Sequence, residues 1–269
     1  MPLFLLLLFL WSPLCAEDSG FDDVLLIINF NNPHYDNIPF LKKYYGPYFK
    51  NIVFYGEEPA DGVEQIKHQH GWFVHKAFKH AMQKWPAFRG YLCCQDDCIM
   101  NFWNYGRLDK DKIWFHTFWK ASVQKLQHEW PWWNYPSGRE AAAQARNKLP
   151  DEARQILNGN CGQLGLPYTW ADFFYVPGKY RQGFIELSEC ACRPAVYIEM
   201  AIPLILLSLA PFNEMEKLNP QWGGTNLSLD LATFDPNSDW VHPVKLSQQK
   251  NRIFLRDLLK KRKLIHAIP

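Results

Sequence analysis

Asp96 and Asp97 stand side by side within Arg89–Asn101, RGYLCCQDDCIMN, just past the apolar run Tyr91, Leu92, Cys93, Cys94. Two like charges at the end of a buried strand repel each other and lose hydration, so a positive group is expected beside them. A divalent cation with oxygen ligands meets that need. A cation that also grips phosphate oxygens would explain why such a pair faces a cleft. The plainer alternative is a helix N-cap, since Asp after a strand favours a helix start, although one Asp would suffice for that. Glu199 stands out for a different reason. It lies in the otherwise apolar stretch Ala195–Pro211, where a carboxylate is costly without a partner or a task. Burial would lift its pKa toward the range of a general base, while capping or an ion pair accounts for it equally well.

These groups need a frame to hold them. Asp23–Phe30, DVLLIINF, is almost uninterruptedly apolar after its first residue, as expected of a central strand covered on both faces. A polar turn, Asn31–Asp36, leads to a short helical stretch, Ile38–Tyr45, closed by Gly46 and Pro47. Asn51–Tyr55 reads as a second strand. Val74, Ala77, Phe78, Ala81, Met82 and Trp85 recur at helical spacing, so Gly71–Trp85 is expected to be an amphipathic helix stopped by Pro86. The strand ending at the paired acids follows. This alternation predicts an α/β domain with a mostly parallel central sheet flanked by helices. Ligands bind at the carboxyl ends of strands in such sheets, which puts Asp96 and Asp97 on that rim together with Asn29 and Asn31.

The second half is less regular. Lys112–Phe115 and Ala171–Pro177 read as strands, and Tyr180–Cys190 as a helix. Arg139–Leu157 reads as a helix ended or kinked by Pro150. Ala195–Pro211 is too short and interrupted for a membrane span and reads as a buried helix. Arg252–Lys263 is a basic amphipathic helix, expected to present a solvated face, with weak contact to an acidic membrane surface as the alternative. No repeat or linker divides residues 17–269, so one domain is expected.

Lys and Arg total 29 against 27 Asp and Glu, a net charge of +2, which gives no global field for nucleic acid. The apolar run Pro2–Trp11 and the following Ser12–Ala16 read as a secretory signal peptide over residues 1–16, with a short signal anchor as the alternative. Cleavage would leave a chain in the lumen of the endoplasmic reticulum or Golgi, or secreted, with membrane contact weak or absent. Cys93, Cys94, Cys98, Cys161, Cys190 and Cys192 could then form up to three disulfides of undetermined pairing, or Cys93 and Cys94 could stay as buried thiols. Asn226-Leu-Ser228 is a glycosylation sequon.

In this order, the features resemble the GT-A fold of nucleotide-sugar glycosyltransferases, a Rossmann-like nucleotide-binding half followed by an acceptor half. Its short acidic motif, DxD, matches Gln95-Asp96-Asp97, with Gln in place of the first acid. The resemblance implies a Mn²⁺ or Mg²⁺ ion on Asp97 and ribose or sugar contacts from Asp96. Tyr197–Pro203, YIEMAIP, is similar to the segment in which a carboxylate opens a helix facing the reaction centre, with Glu199 in the matching position. Trp240–Ser247, WVHPVKLS, supplies His242 and Lys245 where the family places a late metal-binding His and a cation for the diphosphate. Within the fold, the phrasing is most similar to a secretory group distantly similar to the plant STELLO proteins and the exostosin-like transferases.

The resemblance implies metal-dependent transfer, with inversion, from a nucleotide diphosphate sugar (UDP-sugar favoured) to a hydroxyl of a glycan or glycoprotein. Glu199 would be the base, and Asn29, Asn31 and Tyr55 would touch the base and ribose. Trp130, Trp132, Trp133 and Trp170 would stack on acceptor sugars. The departure at Gln95 keeps open a GT-A-like protein that binds nucleotide or glycan without transfer. A metal-dependent phosphoester hydrolase is disfavoured, because the first strand ends in Asn29-Phe30-Asn31-Asn32 rather than in further metal ligands.

Overall fold

The computed structural model describes residues 20–223, 229–230, 232–262 and 264. The proposed signal peptide and the sequon at Asn226 lie outside them. Four strands build one side of a seven-stranded sheet: β1 (Val24–Asn29), β2 (Asn51–Gly56), β3 (Val63–Gln65) and β4 (Gly90–Gln95). Helices α1 (Ile38–Tyr45) and α2 (His75–Lys84) connect them. β1 runs parallel to both β2 and β4, and β2 parallel to β3. Every residue of β1 is buried because successive side chains enter different cores. Leu25 and Ile27 join one apolar cluster, while Val24, Leu26 and Ile28 join the other.

Two small strands, β5 (Ile99–Met100) and β6 (Trp114–Phe115), precede a two-stranded antiparallel pair, β7 (Trp119–Ser122) and β8 (Gly165–Tyr168). Pro150 divides the expected single helix into α3 (Arg139–Asn147) and α4 (Asp151–Cys161). β9 (Phe173–Pro177) then joins the large sheet beside β4, but antiparallel to it. α5 (Arg181–Cys192) and the almost wholly buried α6 (Ile198–Leu209) follow. β10 (Glu216–Lys217) completes the order β10-β6-β9-β4-β1-β2-β3. β11 (Pro220–Trp222), β12 (Trp240–His242) and β5 form a three-stranded sheet, and α7 (Gln249–Lys261) ends the fold.

The sheet is therefore mostly parallel and flanked by helices, as expected, with three differences. β3 is a strand too short for its alternation to register. The expected helix over Gly71–Trp85 begins only at His75, because Gly71 has φ +92° and the segment before α2 is a turn. The anticipated disulfides are absent among the described residues: Cys93, Cys94, Cys98, Cys161, Cys190 and Cys192 are all free thiols. No described helix is long and apolar enough to cross a membrane.

Candidate active site at the carboxyl rim of the sheet

The rim is assembled where β1, β4 and β9 end or begin together. Asn29 and Gln95 lie opposite each other in the parallel register of β1 and β4. The Asp96 amide donates to the Asn29 carbonyl (2.8 Å), and on the other flank the Gln95 amide donates to the Asp172 carbonyl (3.1 Å). Asp172 immediately precedes β9. Because β9 is antiparallel, its first end meets the last end of β4, and a third carboxylate arrives at the paired acids.

His242 ends β12, whose partner β5 begins just after the paired acids, with Val241 opposite Ile99. The chain entering β12 is clamped: Asn101 Nδ2 donates to the Ser238 carbonyl (2.9 Å), and Arg107 makes a two-pronged ion pair with the fully buried Asp239 (2.6 and 2.5 Å). Beyond His242, the Val244 amide donates to the Asp97 carbonyl (2.7 Å), which swings Lys245 back over Asp97.

The result is a tight charge cluster. Lys245 Nζ donates to Asp97 Oδ2 at 2.6 Å, and His242 Nε2 lies 3.3 Å from Asp97 Oδ1 and 3.6 Å from Asp172 Oδ1. Burial alone would raise the Asp97 carboxyl, but contact with His242 and Lys245 holds it below the ordinary carboxylate range. Asp96 moves the other way, raised by burial and by the adjacent Asp97 charge. Burial also raises Asp172, against the pull of His242. Burial would lower His242, but Asp172 and Asp97 outweigh it and raise the imidazole. The positive groups expected beside the paired acids are thus supplied by the protein itself.

Glu199 sits in the first turn of α6, and its position is fixed by backbone contacts. The Thr169 amide donates to the Glu199 carbonyl (3.0 Å), and the Ile198 amide to the Trp72 carbonyl (2.8 Å). Its side chain keeps a partial opening to solvent. Burial, reinforced by the negative charge of Asp172, pushes the Glu199 carboxyl up to about 8. Asp97 and Glu199, each within reach of Asp172 or His242, are therefore driven toward opposite protonation states.

A cleft of about 200 Å³ opens on this rim, lined by Asn31, Asn32, Asn37, Asp96, Asp97 and Lys245, with His34, Leu246 and Ser247 closing it. Asn29 does not reach it. Asn29 is fully buried, and its Nδ2 donates to Gln95 Oε1 (3.2 Å) and to Asn31 Oδ1 (3.1 Å), which helps fix the cleft-lining Asn31. Gln95, standing where DxD has its first acid, is 2% exposed and used in that bond. A third carboxylate there would be buried beside Asp96. Tyr55 is buried too, with its hydroxyl on His80 Nδ1 (2.8 Å). Of the tryptophans, Trp133 is core, Trp132 packs on Tyr197, and Trp130 and Trp170 are partly open.

The donor chemistry of Asp97, Asp172 and His242 suits a Mn²⁺-like ion, and buried Asp97 Oδ1 has the ion-pair contact with His242 but no aligned hydrogen bond. Among the described residues, however, no group of three or more His, Cys, Asp or Glu is already spaced to hold one. An ion would have to displace Lys245 from Asp97 and the proton from His242. Asp172 was missed in the sequence reading, though its signal was the same as that of the paired acids: a carboxylate abutting an apolar strand. A parallel strand would have put it on the opposite rim.

No protein-family model matches the chain. It is 22% identical over 256 residues to the probable glycosyltransferase STELLO1 of Arabidopsis thaliana, and 21% identical over 256 residues to the probable glycosyltransferase STELLO2 of the same plant. Both matches cover 88% of this chain but only 31% and 32% of the relatives, so the chain spans about a third of their length. Among solved structures, the mannosyltransferase Ktr4p from S. cerevisiae in complex with GDP aligns over 91% of this chain and 82% of its own, at 13% identity and a TM-score of 0.36. The chain is a distant sequence relative of the STELLO probable glycosyltransferases, carried on a mixed α/β fold with a mostly parallel central sheet.

Proposed function

We propose that this chain is a glycosyltransferase of the secretory-pathway lumen. In this reading it transfers a sugar from a nucleotide diphosphate sugar, UDP-linked by preference, to a hydroxyl of a glycan or glycoprotein. The observation that carries the reading is convergence. Asp96 with Asp97, Asp172, Glu199, and His242 with Lys245 come from four separate chain segments to one sheet rim beside a polar cleft. Kinship with the STELLO probable glycosyltransferases supports the same reaction class.

Lys245 offers positive charge to the diphosphate, releasing Asp97 as it turns toward the ligand. Asn31 and Asp96 line the cleft where the ribose and sugar would lie. Asp97, Asp172 and His242 would hold a divalent cation, Mn²⁺ or Mg²⁺, which when bound neutralises charge on the departing diphosphate. Glu199 takes the proton of the acceptor hydroxyl. The acceptor oxygen bonds to the anomeric carbon as the carbon–oxygen bond to the diphosphate breaks, which inverts the centre. A carboxylate raised to about 8 is matched to that proton transfer near neutral pH.

Thermal-shift measurements against UDP-, GDP- and CMP-sugars, with and without Mn²⁺, test the donor and metal assignments. A ligand that binds only the native state raises the melting temperature, by an amount that grows with its concentration. One donor class should do so, more strongly with Mn²⁺. No shift with any sugar nucleotide contradicts the proposal. A shift with no nucleotide release to any acceptor or to water points to the non-catalytic binding protein instead.

A further inference from the structure

A row of aromatic rings leads away from His242 along the surface. Trp222 lies directly across from His242 in the β11–β12 register, with ring centroids 5.4 Å apart. Trp170 follows at 5.4 Å from Trp222, then Trp130 at 6.4 Å, Tyr168 at 4.7 Å from Trp130, and Trp119 at 6.0 Å from Tyr168. Trp119 is 46% exposed, and Trp170 and Trp222 are 37% exposed each. Trp130 is half-buried and Tyr168 is buried beneath the row, so the open apolar surface is carried by Trp222, Trp170 and Trp119, and clustered open indoles mark a binding face.

The row is rigidly backed. Fully buried Trp240 packs edge-on beneath Trp222 (4.7 Å), and buried Trp133 sits against Tyr168 (5.8 Å). Trp119 and Tyr168 face each other across the β7–β8 pair. Trp133 gives its indole N–H to the Lys125 carbonyl (2.8 Å), whereas among the described residues those of Trp119, Trp130, Trp170 and Trp222 have no protein acceptor. Each exposed ring thus offers an apolar face and, among the described residues, an indole N–H without a protein acceptor.

We infer that this row is a rail for a linear carbohydrate chain, so that the acceptor is an oligosaccharide or polysaccharide rather than a single sugar or a bare protein side chain. The inference rests on the transfer reading for which end of the chain reacts, because the row starts at His242 and Asp172. Pyranose rings present C–H faces for stacking and hydroxyls for the indole N–H groups, and a flexible sugar chain can follow rings inclined to one another, as Trp170 is to Trp222 (47°) and to Trp130 (85°). A nucleic acid strand could also stack, but needs cations tracking its phosphates, and this chain is nearly neutral overall. A lipid would need an enclosed apolar channel.

Fluorescence titration with linear β-1,4-gluco-, β-1,4-manno- and β-1,4-xylo-oligosaccharides of increasing length, and with a serine/threonine peptide, tests this on the intact chain. Affinity should rise with length in at least one series. Trp119→Ala, at the far end, should weaken the longest oligosaccharide about tenfold and shorter ones progressively less, and Trp119→Phe should restore most of the loss. Trp222→Ala, at the near end, should weaken every length. Melting temperatures confirm that each variant is folded, and either variant alone suffices for the comparison. Length-independent binding in all series, an equal loss at every length in Trp119→Ala, or binding of the peptide alone would overturn the rail. Sugar-nucleotide thermal shifts separate the two ideas. A nucleotide response without length dependence removes the rail only, and length dependence without any nucleotide response removes the transfer reading while supporting the rail.

Discussion

At Asp97, desolvation competes with two cations, and the cations win: its carboxyl stays charged because His242 and Lys245 touch it. Asp97→Asn should therefore lower turnover at least a hundredfold, read as nucleotide release. Its side chain is only 18% exposed, so the fold should also lose about 1–2 kcal/mol, a modest figure because Lys245 is nearly half exposed and can rehydrate. Denaturant titration at neutral pH checks the second part. The depressed carboxyl contributes stability that is present above its unfolded pKa and lost as pH falls toward about 2, so wild type and variant should converge in acid. Glu199 has the opposite sign. Its folded pKa is raised from 4.5 to about 8, so the native state holds a proton that the unfolded chain releases. Stability should fall as pH rises across that window, and Glu199→Gln should abolish that slope, gaining on the order of 2–4 kcal/mol relative to wild type above pH 8. The same substitution should keep donor binding and cost about 10²–10⁴ in turnover, while the wild-type rate climbs with pH through about 8.

Among the elements, the turn before α2 shapes the cleft. Glu57 accepts the amides of His68, Gln69 and His70 (2.8, 2.7 and 3.0 Å), locking a run in which Gln69, His70 and Gly71 all have positive φ. A Cβ on Gly71 would meet Asn31 Oδ1 at 2.1 Å, so this glycine leaves room for the cleft-lining Asn31. Gly71→Ala should cost about 1–3 kcal/mol and weaken sugar-nucleotide binding, whereas Gly106→Ala, with nothing within 4 Å of its Cβ, should leave both nearly unchanged. Calorimetry on the two variants separates them. The parallel half of the fold was legible because β1 and β4 are continuous apolar runs and α2 keeps a helical stripe, and these carry Asn29, Asp96 and Asp97 to the rim. Glu199 was legible as a lone acid in an apolar helix. The direction of β9 was not, since an apolar pentapeptide reads the same in either sense, and with it went Asp172. Trp222 was equally hidden, because β11 is three residues long and its open face depends on pairing with β12.

In the whole molecule, two apolar cores hold a sheet whose polar end is spent on one constellation. That constellation is closed on itself by Lys245 and His242, so binding an anionic diphosphate and a cation must open it. Because His242 must lose its proton to ligate a metal, Mn²⁺ affinity should rise with pH through the raised imidazole pKa, which a Mn²⁺ titration at several pH values measures. The most direct test of the account is a crystal grown with Mn²⁺ and the sugar nucleotide selected by thermal shift. The account predicts a diphosphate in the cleft of about 200 Å³ against Lys245, with the ion between Asp97, Asp172 and His242 and the sugar facing Glu199. A saturated crystal with the nucleotide bound elsewhere, or with those side chains still paired to one another and no ion among them, would contradict it.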